Sequence, residues 1–312
     1  MKYYLAPLEG ITGYIFRNAY FKYFGEIDKY FTPFISPNQK KICRTREKKD
    51  ILPENNKGMK VVPQILTNNA EMFLSTVEYL KSFGYYEVNL NLGCPVGTVV
   101  SKKKGAGFLS QVDDLNTFLD NIFSNTDVKI SIKTRIGMES GDEFPVLMNI
   151  FNQFPIHELI IHPRTREDYY KNIPDLDAFA YGYENSSSKV CYNGDIFTKE
   201  DSDKLINLFP KLEMMMLGRG ILRYPGIIQY IKNDVIMEKN LLKQFHDHLY
   251  EAYKENLYGD KTVLFKMKEL WSYMIHSFYY DTKIEKKIKK AQKLSEYDIA
   301  IRELFSQYEL IL

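Results

Sequence analysis

The chain has 312 residues, of which 45% are hydrophobic and 26% charged, and its formal net charge is +2. This composition excludes an intrinsically disordered chain, a collagen-like repeat and a small disulfide scaffold. The most apolar stretches, 87–94 and 128–132, are much shorter than the ~20 residues of a membrane-spanning helix, so we expect no membrane span. Because residues 1–8 lack a basic start and a long apolar core, we also expect no secretory signal and a cytoplasmic location.

Cysteine usage and charge give two further expectations. Cys43, Cys94 and Cys191 are odd in number and lack the spacing of a metal motif, so we expect a reducing compartment and no bound metal. The near-neutral total does not indicate a nucleic-acid partner, but the segment 283–293 holds six lysines and one glutamate. A lysine run alone is more typical of a solvated helix face, and a phosphate contact needs support from elsewhere in the chain.

Apolar, β-branched runs alternate with amphipathic segments over most of the chain. The runs predict strands at 3–8, 30–35, 60–66, 86–91, 128–134, 158–162, 189–193 and 212–217. The segments between them predict helices, among them 71–83, 115–123, 143–154 and 199–209. Such alternation predicts a parallel sheet, and eight strands match a closed TIM (β/α)8 barrel better than an open doubly wound sheet.

The strand pattern ends near residue 224, and the remaining chain has only helical spacing. Apolar residues recur every three or four positions in 241–258, 263–279 and 294–310. We therefore predict a TIM-barrel domain at 1–226 followed by a small all-α domain at 227–312.

Polar side chains follow nearly every predicted strand, where a TIM barrel places its active site. Each has a structural explanation of its own: Gln64 can satisfy a backbone group, Lys133 can be solvated, and His162 can be a hydrogen-bonded core residue. Their joint occurrence in register favours an active site at this end of the barrel.

Glycine-containing turns follow the last two predicted strands. They are Asn193-Gly194-Asp195 and Gly218-Arg219-Gly220, at the position where barrels commonly bind phosphate through backbone amides. Glycine permits close approach of the anion and Arg219 offers paired donors, so the turns predict a phosphate-bearing cofactor. Gly-Arg-Gly taken alone fits an ordinary tight turn equally well.

Lys133 and Gln64 are predicted to point toward the same ligand. A flavin fits, because its reduced ring carries negative charge near N1 and O2 that an ammonium stabilises. The alternative is a Schiff-base lysine, which barrel lyases use, but this chain offers a cysteine acid instead.

Cys94 is the candidate catalytic residue. It follows a predicted strand, precedes Pro95, and is followed by the glycine-rich segment 104–107, which we interpret as mobile. A thiol at such a turn is partly exposed, which favours a reactive role. By contrast, we expect Cys191 to be buried in mid-strand and Cys43 to lie in a polar loop without partners.

Together these segments resemble the tRNA-dihydrouridine synthases. The matching segments run in family order, and 91–95 (Asn-Leu-Gly-Cys-Pro) is the most specific of them; they are 5–12 with 16–17, 89–95, 133–137, 162–166, 193–196 and 217–220. The C-terminal helical region has the size of the family's RNA-binding domain. Two departures leave the subgroup and the target position open: many members have alanine at Glu9, and Gly105-Ala106-Gly107 replaces the commoner Gly-Gly-Ala order.

The resemblance implies a monomeric, flavin-dependent oxidoreductase with tightly bound FMN. It would reduce the C5–C6 double bond of a D-loop uridine in tRNA, with NADPH as the electron donor. Cys94 would donate a proton to C5 as hydride passes from flavin N5 to C6, and Asn91 would bond the flipped uracil. The implied cofactor residues are Pro7, Leu8, Glu9, Gln64, Lys133, His162, Asn193, Gly194, Asp195, Gly218 and Arg219. The implied RNA contacts are Arg164 and Arg166. Because unstacking the base has to be offset by contacts to the RNA backbone, we add Lys286, Lys287, Lys289 and Lys290 as expected contacts.

Two other functions fit parts of the sequence. One is a flavin-dependent reductase of a free pyrimidine or another small unsaturated substrate, which the helical region and the two arginines disfavour. The other is a non-catalytic tRNA-binding or folding protein that retains the barrel, against which the intact Cys94, Lys133 and phosphate turns argue.

Overall fold

A computed structural model describes residues 1–311, and Leu312, the last residue of the predicted helical domain, lies outside the described part. The chain forms two compact units. The first comprises Met1–Pro7, Asp28–Asp195 and Leu205–Leu217, and the second comprises Leu8–Ile27, Ile196–Lys204 and the segment from Gly218 onward. The second unit is therefore not confined to residues after 226, because it also contains two segments from earlier in the chain.

The first unit contains one parallel sheet. Its segments β1 to β9 are Lys2–Leu5, Lys29–Phe31, Val61–Val62, Gln64–Ile65, Glu87–Leu92, Lys129–Gly137, Glu158–Thr165, Lys189–Tyr192 and Met214–Leu217. Their order in the sheet is β3-β2-β1-β9-β8-β7-β6-β5-β4.

The sheet closes into a barrel through one interrupted strand. Segments β3 and β4 are separated only by Pro63, which has no N–H to donate, but its carbonyl accepts from the Asn89 amide at 2.9 Å. Because β3 pairs with β2 and β4 pairs with β5, this single strand joins both edges of the sheet. The nine segments thus form eight barrel strands, and the predicted TIM barrel is confirmed.

Alternate residues of the strands fill the barrel interior. Tyr4, Phe31, Ile160, Cys191 and Met216 belong to one buried cluster. Cys191 is fully buried there, as the sequence predicted, and its burial raises the pKa of the thiol. Cys43 lies in a loop, as predicted, but it is buried and its Sγ lies 3.4 Å from the Arg44 carbonyl. Burial raises the pKa of Cys43 to about 12.

Fourteen α-helices and four short 3-10 helices complete the described chain. Helices α1 to α14 are Tyr14–Tyr23, Thr45–Ile51, Ala70–Lys81, Gly97–Val100, Val112–Ser124, Phe144–Phe151, Leu176–Asn185, Lys199–Leu208, Arg219–Arg223, Ile227–Asn233, Lys239–Asn256, Asp260–Met274, Thr282–Lys290 and Leu294–Gln307. The 3-10 helices are Pro53–Asn55, Gly105–Phe108, Gly141–Glu143 and Ile275–Ser277. Within residues 1–311, no helix combines the length and apolarity needed to cross a membrane.

The second unit is held together by aromatic contacts. Rings of Phe16 and Phe24 on and just after α1 lie 5.9 and 5.1 Å from the ring of Phe245 on α11, which explains why α1 belongs to this unit. Deeper in the unit, Trp271 donates to the Tyr297 hydroxyl at 2.7 Å, and that hydroxyl lies 2.7 Å from His246 Nε2. Burial lowers the pKa of His246, so this network holds a neutral imidazole.

Candidate functional site

A chain of hydrogen-bonded polar side chains runs across β4, β5 and β6. Gln64 Oε1 accepts from Asn91 Nδ2 at 2.7 Å, and Gln64 Nε2 donates to Asn89 Oδ1 at 2.7 Å. Asn89 Nδ2 in turn donates to Ser131 Oγ at 2.9 Å. The amide of Gln64, only 1% exposed, is therefore fixed in orientation before any ligand binds.

Asn91 shapes the turn that carries Cys94. Its Oδ1 accepts from the backbone amides of Gly93 at 3.0 Å and of Cys94 at 2.9 Å. Since its Nδ2 already donates to Gln64, the main visible role of Asn91 is to position Cys94. A contact between Asn91 and uracil, as the resemblance implies, has to share these groups.

Glycines approach Cys94 closely from the segment that the sequence suggested to be mobile. The Ala106 amide donates to the Cys94 carbonyl at 3.0 Å, and a Cβ at Gly105 would lie 2.8 Å from that carbonyl oxygen. Gly105 also has a φ of +58°, which favours glycine. The prediction of mobility is therefore wrong: residues 105–107 are buried in a 3-10 helix, Gly105 allows close contact with the thiol turn, and Gly107 allows close contact with the backbone of Val100.

Arg135 also positions this turn, a role that the sequence analysis missed. Its buried guanidinium donates to three carbonyls, of Gly93 at 2.9 Å, Thr165 at 2.6 Å and Tyr169 at 2.8 Å. It thus ties the thiol turn to the loop after β7. The available signal was a second basic residue, two positions after Lys133, directly after the predicted strand 128–134.

Lys133 is the unusual cation of the site. It pairs in register with Asn91 and Ile160, and within residues 1–311 its ammonium forms no hydrogen bond or salt bridge. Burial, assisted by the nearby Arg135 guanidinium, lowers the pKa of Lys133 to about 7. An anionic or strongly accepting ligand would relieve that cost, so Lys133 is suited to bind one.

The predicted RNA contact of Arg164 is not supported by its placement. The side chain is only 1% exposed, and it pairs with Asp195 through Nη1 to Oδ1 at 3.2 Å and Nη2 to Oδ2 at 2.5 Å. Its Nε donates to the Asn172 carbonyl at 2.6 Å, and Nη1 lies 3.1 Å from His162 Nε2. We therefore correct the assignment: Arg164 orients His162 and Asp195, two residues predicted to contact the cofactor.

Arg166 is half-buried and keeps its status as a predicted RNA contact. Its guanidinium pairs with Glu167 at 2.5 Å and lies 5.2 Å from the ring centre of Tyr169.

The predicted phosphate turn after β8 requires its glycine. Asn193 Nδ2 donates to the Met216 carbonyl at 2.7 Å, and a Cβ on Gly194 would lie 2.1 Å from the Tyr192 hydroxyl oxygen. Pro7, which follows β1 in the same unit, is half-buried.

The remaining predicted cofactor residues belong to the second unit. Gly218 precedes α9, a Cβ at Gly220 would lie 2.0 Å from the Ile196 carbonyl oxygen, and Arg219 lies 5.6 Å from the ring centre of Phe197. Leu8 is half-buried and Glu9 exposed. In both units, glycine is required where the backbone would approach a phosphate.

The lysines of the C-terminal run lie on α13. Ile284 and Ile288 are buried, whereas Lys286, Lys287, Lys289 and Lys290 are all exposed. Lys287 pairs with Glu303 at 2.6 Å and Lys289 pairs with Glu285. Lys286 and Lys290 form no salt bridge within residues 1–311. Of the four lysines, these two are therefore the more available to bind a phosphate.

A separate ionisable cluster lies at the amino ends of the strands. Lys29 Nζ is 2.5 Å from Glu87 Oε1 and 2.8 Å from Glu158 Oε1, and Tyr4 donates to the same oxygen of Glu158 at 3.1 Å. Glu87, His157 and Glu158 are close enough to share a metal ion, but the ammonium of Lys29 already occupies the space between the two carboxylates. The cluster therefore has the features of a structural ion-pair network.

Comparisons with known proteins concern the family of the chain as a whole. The sequence model of the family described as dihydrouridine synthase (Dus) matches residues 4–308. A probable tRNA-dihydrouridine synthase of Helicobacter pylori is 27% identical over 279 residues, covering 86% of this chain and 82% of the relative. The tRNA-dihydrouridine synthase B of Shewanella oneidensis is 23% identical over 282 residues, covering 86% and 85%.

Solved structures are similar to this chain in fold. Morphinone reductase in complex with tetrahydroNAD aligns with a TM-score of 0.53 and 8% identity, covering 76% of this chain and 88% of the reductase. TcOYE with pHBA aligns with a TM-score of 0.56 and 8% identity, covering 76% and 90%.

Proposed function

The chain belongs to the dihydrouridine synthase family, and we propose that it reduces the C5–C6 double bond of a D-loop uridine in tRNA, using tightly bound FMN and NADPH. The observation that carries this proposal is the fixed turn of Cys94, held by Asn91, on the strand next to the one that bears Lys133. We place the reaction in the cytoplasm and expect a monomer.

The residues present fit a flavin. Lys133 offers an ammonium that lacks a hydrogen-bond or salt-bridge partner in the described chain, and Gln64 offers an amide of fixed orientation. Asn193, Gly194, Asp195, Gly218 and Arg219 would hold the ribityl chain and phosphate, and Pro7, Leu8, Glu9 and His162 would line the ring. When bound, the flavin supplies the hydride that adds to C6 of the uracil.

Cys94 supplies the other half of the reduction. Its thiol donates a proton to C5, so that hydride and proton together saturate the double bond. A protonated thiol within reach of a reacting carbon can act as this acid. Asn91, Arg135 and Ala106 fix the backbone on both sides of the thiol, which limits its positions relative to a bound base.

tRNA has to present its uridine unstacked, at a cost of a few kcal/mol. Contacts to the RNA backbone must offset that cost, and the exposed lysines of α13 together with Arg166 are the predicted contacts. The RNA therefore contributes binding energy that free uridine lacks.

The direct test is turnover on two substrates. Purified protein with FMN and NADPH is given tRNA from a strain that lacks dihydrouridine, or free uridine at matched uridine concentration, and dihydrouridine is measured by mass spectrometry. We expect product on tRNA and little on free uridine. Product on free uridine with none on tRNA would support the small-substrate reductase instead, and protein unable to bind FMN would support the non-catalytic alternative.

A further inference from the structure

Three consecutive lysines follow the Cys94 turn and have no role in the function described so far. Lys102 and Lys103 are exposed and Lys104 is half-buried. Within residues 1–311 none of the three forms a salt bridge, and only Lys103 has a side-chain hydrogen bond, to Gln111 Oε1 at 2.6 Å. Burial and the adjacent charge of Lys102 lower the pKa of Lys104. The chain thus concentrates positive charge here, with no acidic side chain of the described residues within salt-bridge distance of the three ammonium groups.

The lysines are connected to the thiol turn by backbone hydrogen bonds. The Lys104 amide donates to the Val99 carbonyl at 3.2 Å, and the Lys104 carbonyl accepts from Gly107 at 3.0 Å. Ala106, between them, donates to the Cys94 carbonyl at 3.0 Å. Lys103 has a φ of +52°, a conformation that L-residues rarely adopt. The backbone that carries the three lysines is therefore held in one defined position relative to Cys94.

A polar groove adjoins the lysines. It encloses about 290 Å³, Lys103 lines it, and its other polar lining residues are Asn68, Asn69, Gln111, Asp114, Thr117 and Asn121. Asn68 also donates to the Lys102 carbonyl at 3.2 Å, which joins the groove to the lysine segment. We call these residues together the amide groove.

The lining of the amide groove indicates the chemistry of its ligand. Amides and hydroxyls both donate and accept hydrogen bonds, as sugar hydroxyls and phosphate oxygens require, and lysines neutralise phosphates. Of the apolar lining residues, Phe108 and Phe118 are 2% and 3% exposed and the small Ala70 is half-buried, so little apolar surface is offered to a protein partner. Asp114 is the one acidic side chain among the described lining residues.

We propose that Lys102, Lys103, Lys104 and the amide groove bind the sugar-phosphate backbone of tRNA next to the uridine that reacts. This inference rests on the proposed function, because it takes tRNA as the ligand. Since the same loop holds Cys94, RNA bound here would also restrict the thiol during the reaction. The site differs from the α13 lysines, which belong to the other unit.

The test measures tRNA affinity as a function of salt. In Lys102→Gln/Lys103→Gln/Lys104→Gln, loss of up to three phosphate contacts should reduce the slope of log K against log salt by roughly 2, at about 0.7 per contact. KM for tRNA should rise more than kcat falls, and the FMN absorbance should be retained. The matched control is Lys48→Gln/Lys49→Gln/Lys57→Gln, three exposed lysines of the same unit, which should leave the slope near the parental value.

A second substitution is expected to strengthen tRNA binding, a result that misfolding of the protein would not produce. Asp114→Asn removes the negative charge from the groove and should tighten tRNA binding severalfold at low salt. An unchanged slope in the triple variant, or an equal loss in its control, would overturn the proposal. The affinity measurement does not depend on turnover. If the protein binds tRNA through this surface but forms no dihydrouridine, the binding proposal stands and only the proposed function is contradicted.

Discussion

Two lysines of one barrel, the buried Lys29 and the half-buried Lys133, have opposite surroundings. At the amino ends of the strands, Lys29 contacts the carboxylates of Glu87 and Glu158 at 2.5 and 2.8 Å. Toward the carboxyl ends, Lys133 has no acidic partner among residues 1–311, and burial lowers its pKa to about 7. A desolvated ammonium is costly unless it is paired. The protein itself neutralises Lys29, whereas Lys133 is the residue that we propose pairs with the flavin. On this proposal the amino ends of the strands have a structural role and the carboxyl ends a chemical one.

Cys94→Ala should have the largest effect, on activity alone. Loss of the proton donor should lower dihydrouridine formation on tRNA about 10²–10⁴-fold, while FMN binding and unfolding midpoint stay close to parental values. Cys43→Ala, a buried cysteine outside the site, is the matched control and should remain active. Near-parental turnover of Cys94→Ala would remove the thiol from the chemistry.

Lys29→Met should act on stability. Removing the ammonium leaves two buried carboxylates facing each other, and breaking a buried ion pair costs about 3–5 kcal/mol. The free energy of unfolding from urea titration should fall by that order. If the free energy of unfolding does not fall, or if the variant loses only FMN, the amino ends of the barrel strands do not have the structural role assigned to them.

Lys133→Met should have the reverse pattern, with FMN content and activity lost but the flavin-free protein stabilised. The pKa of Lys133 is about 7 in the folded protein against 10.5 ordinarily, so the unfolded chain binds more protons between those values. Lys133 therefore makes the flavin-free protein gain stability as the pH rises from about 7 toward 10.5, and it is most destabilising below pH 7. Thermal unfolding at pH 6 and pH 9 should show the larger gain from Lys133→Met at pH 6; an equal gain at both would contradict the assigned pKa.

Asn91→Ala should lower kcat by about tenfold to hundredfold through misplacement of Cys94, because the Gly93 and Cys94 amides lose their acceptor. Asn91→Asp keeps an acceptor for both amides and should recover part of the loss. The alkylation rate of Cys94 by iodoacetamide reports on thiol placement independently of uracil binding. Equal kcat losses in the two variants, with unchanged alkylation, would favour a direct contact with uracil.

The lysines of α13 should give the smallest effect. Lys286→Ala/Lys290→Ala should weaken tRNA binding severalfold and reduce its salt dependence, whereas Lys287→Ala/Lys289→Ala should do less, because those two already pair with Glu303 and Glu285. Fluorescence titration at several salt concentrations measures both. If neither double variant changes tRNA binding, the lysine segment 283–293 is a solvated helix face and does not contact the RNA.

Much of this arrangement was accessible from the sequence because it depends on local periodicity. Strand spacing predicted the barrel, and the turn after β5 identified Cys94. The misassignment of Arg164 has a physical cause: β7 continues to Thr165, so Arg164 is on the same face as His162, two residues earlier, and points inward. The pairing of Lys287 with Glu303, and the lack of any acid beside Lys133, depend on contacts between distant segments that no local pattern encodes.

The most direct test of the account is to map dihydrouridine in tRNA from cells that lack this protein. Complementation with the parental chain should restore dihydrouridine at a D-loop position, and complementation with Cys94→Ala should not, although both proteins carry FMN. Unchanged dihydrouridine in the deletion strain, or full restoration by Cys94→Ala, would contradict the assignment of this barrel to tRNA uridine reduction.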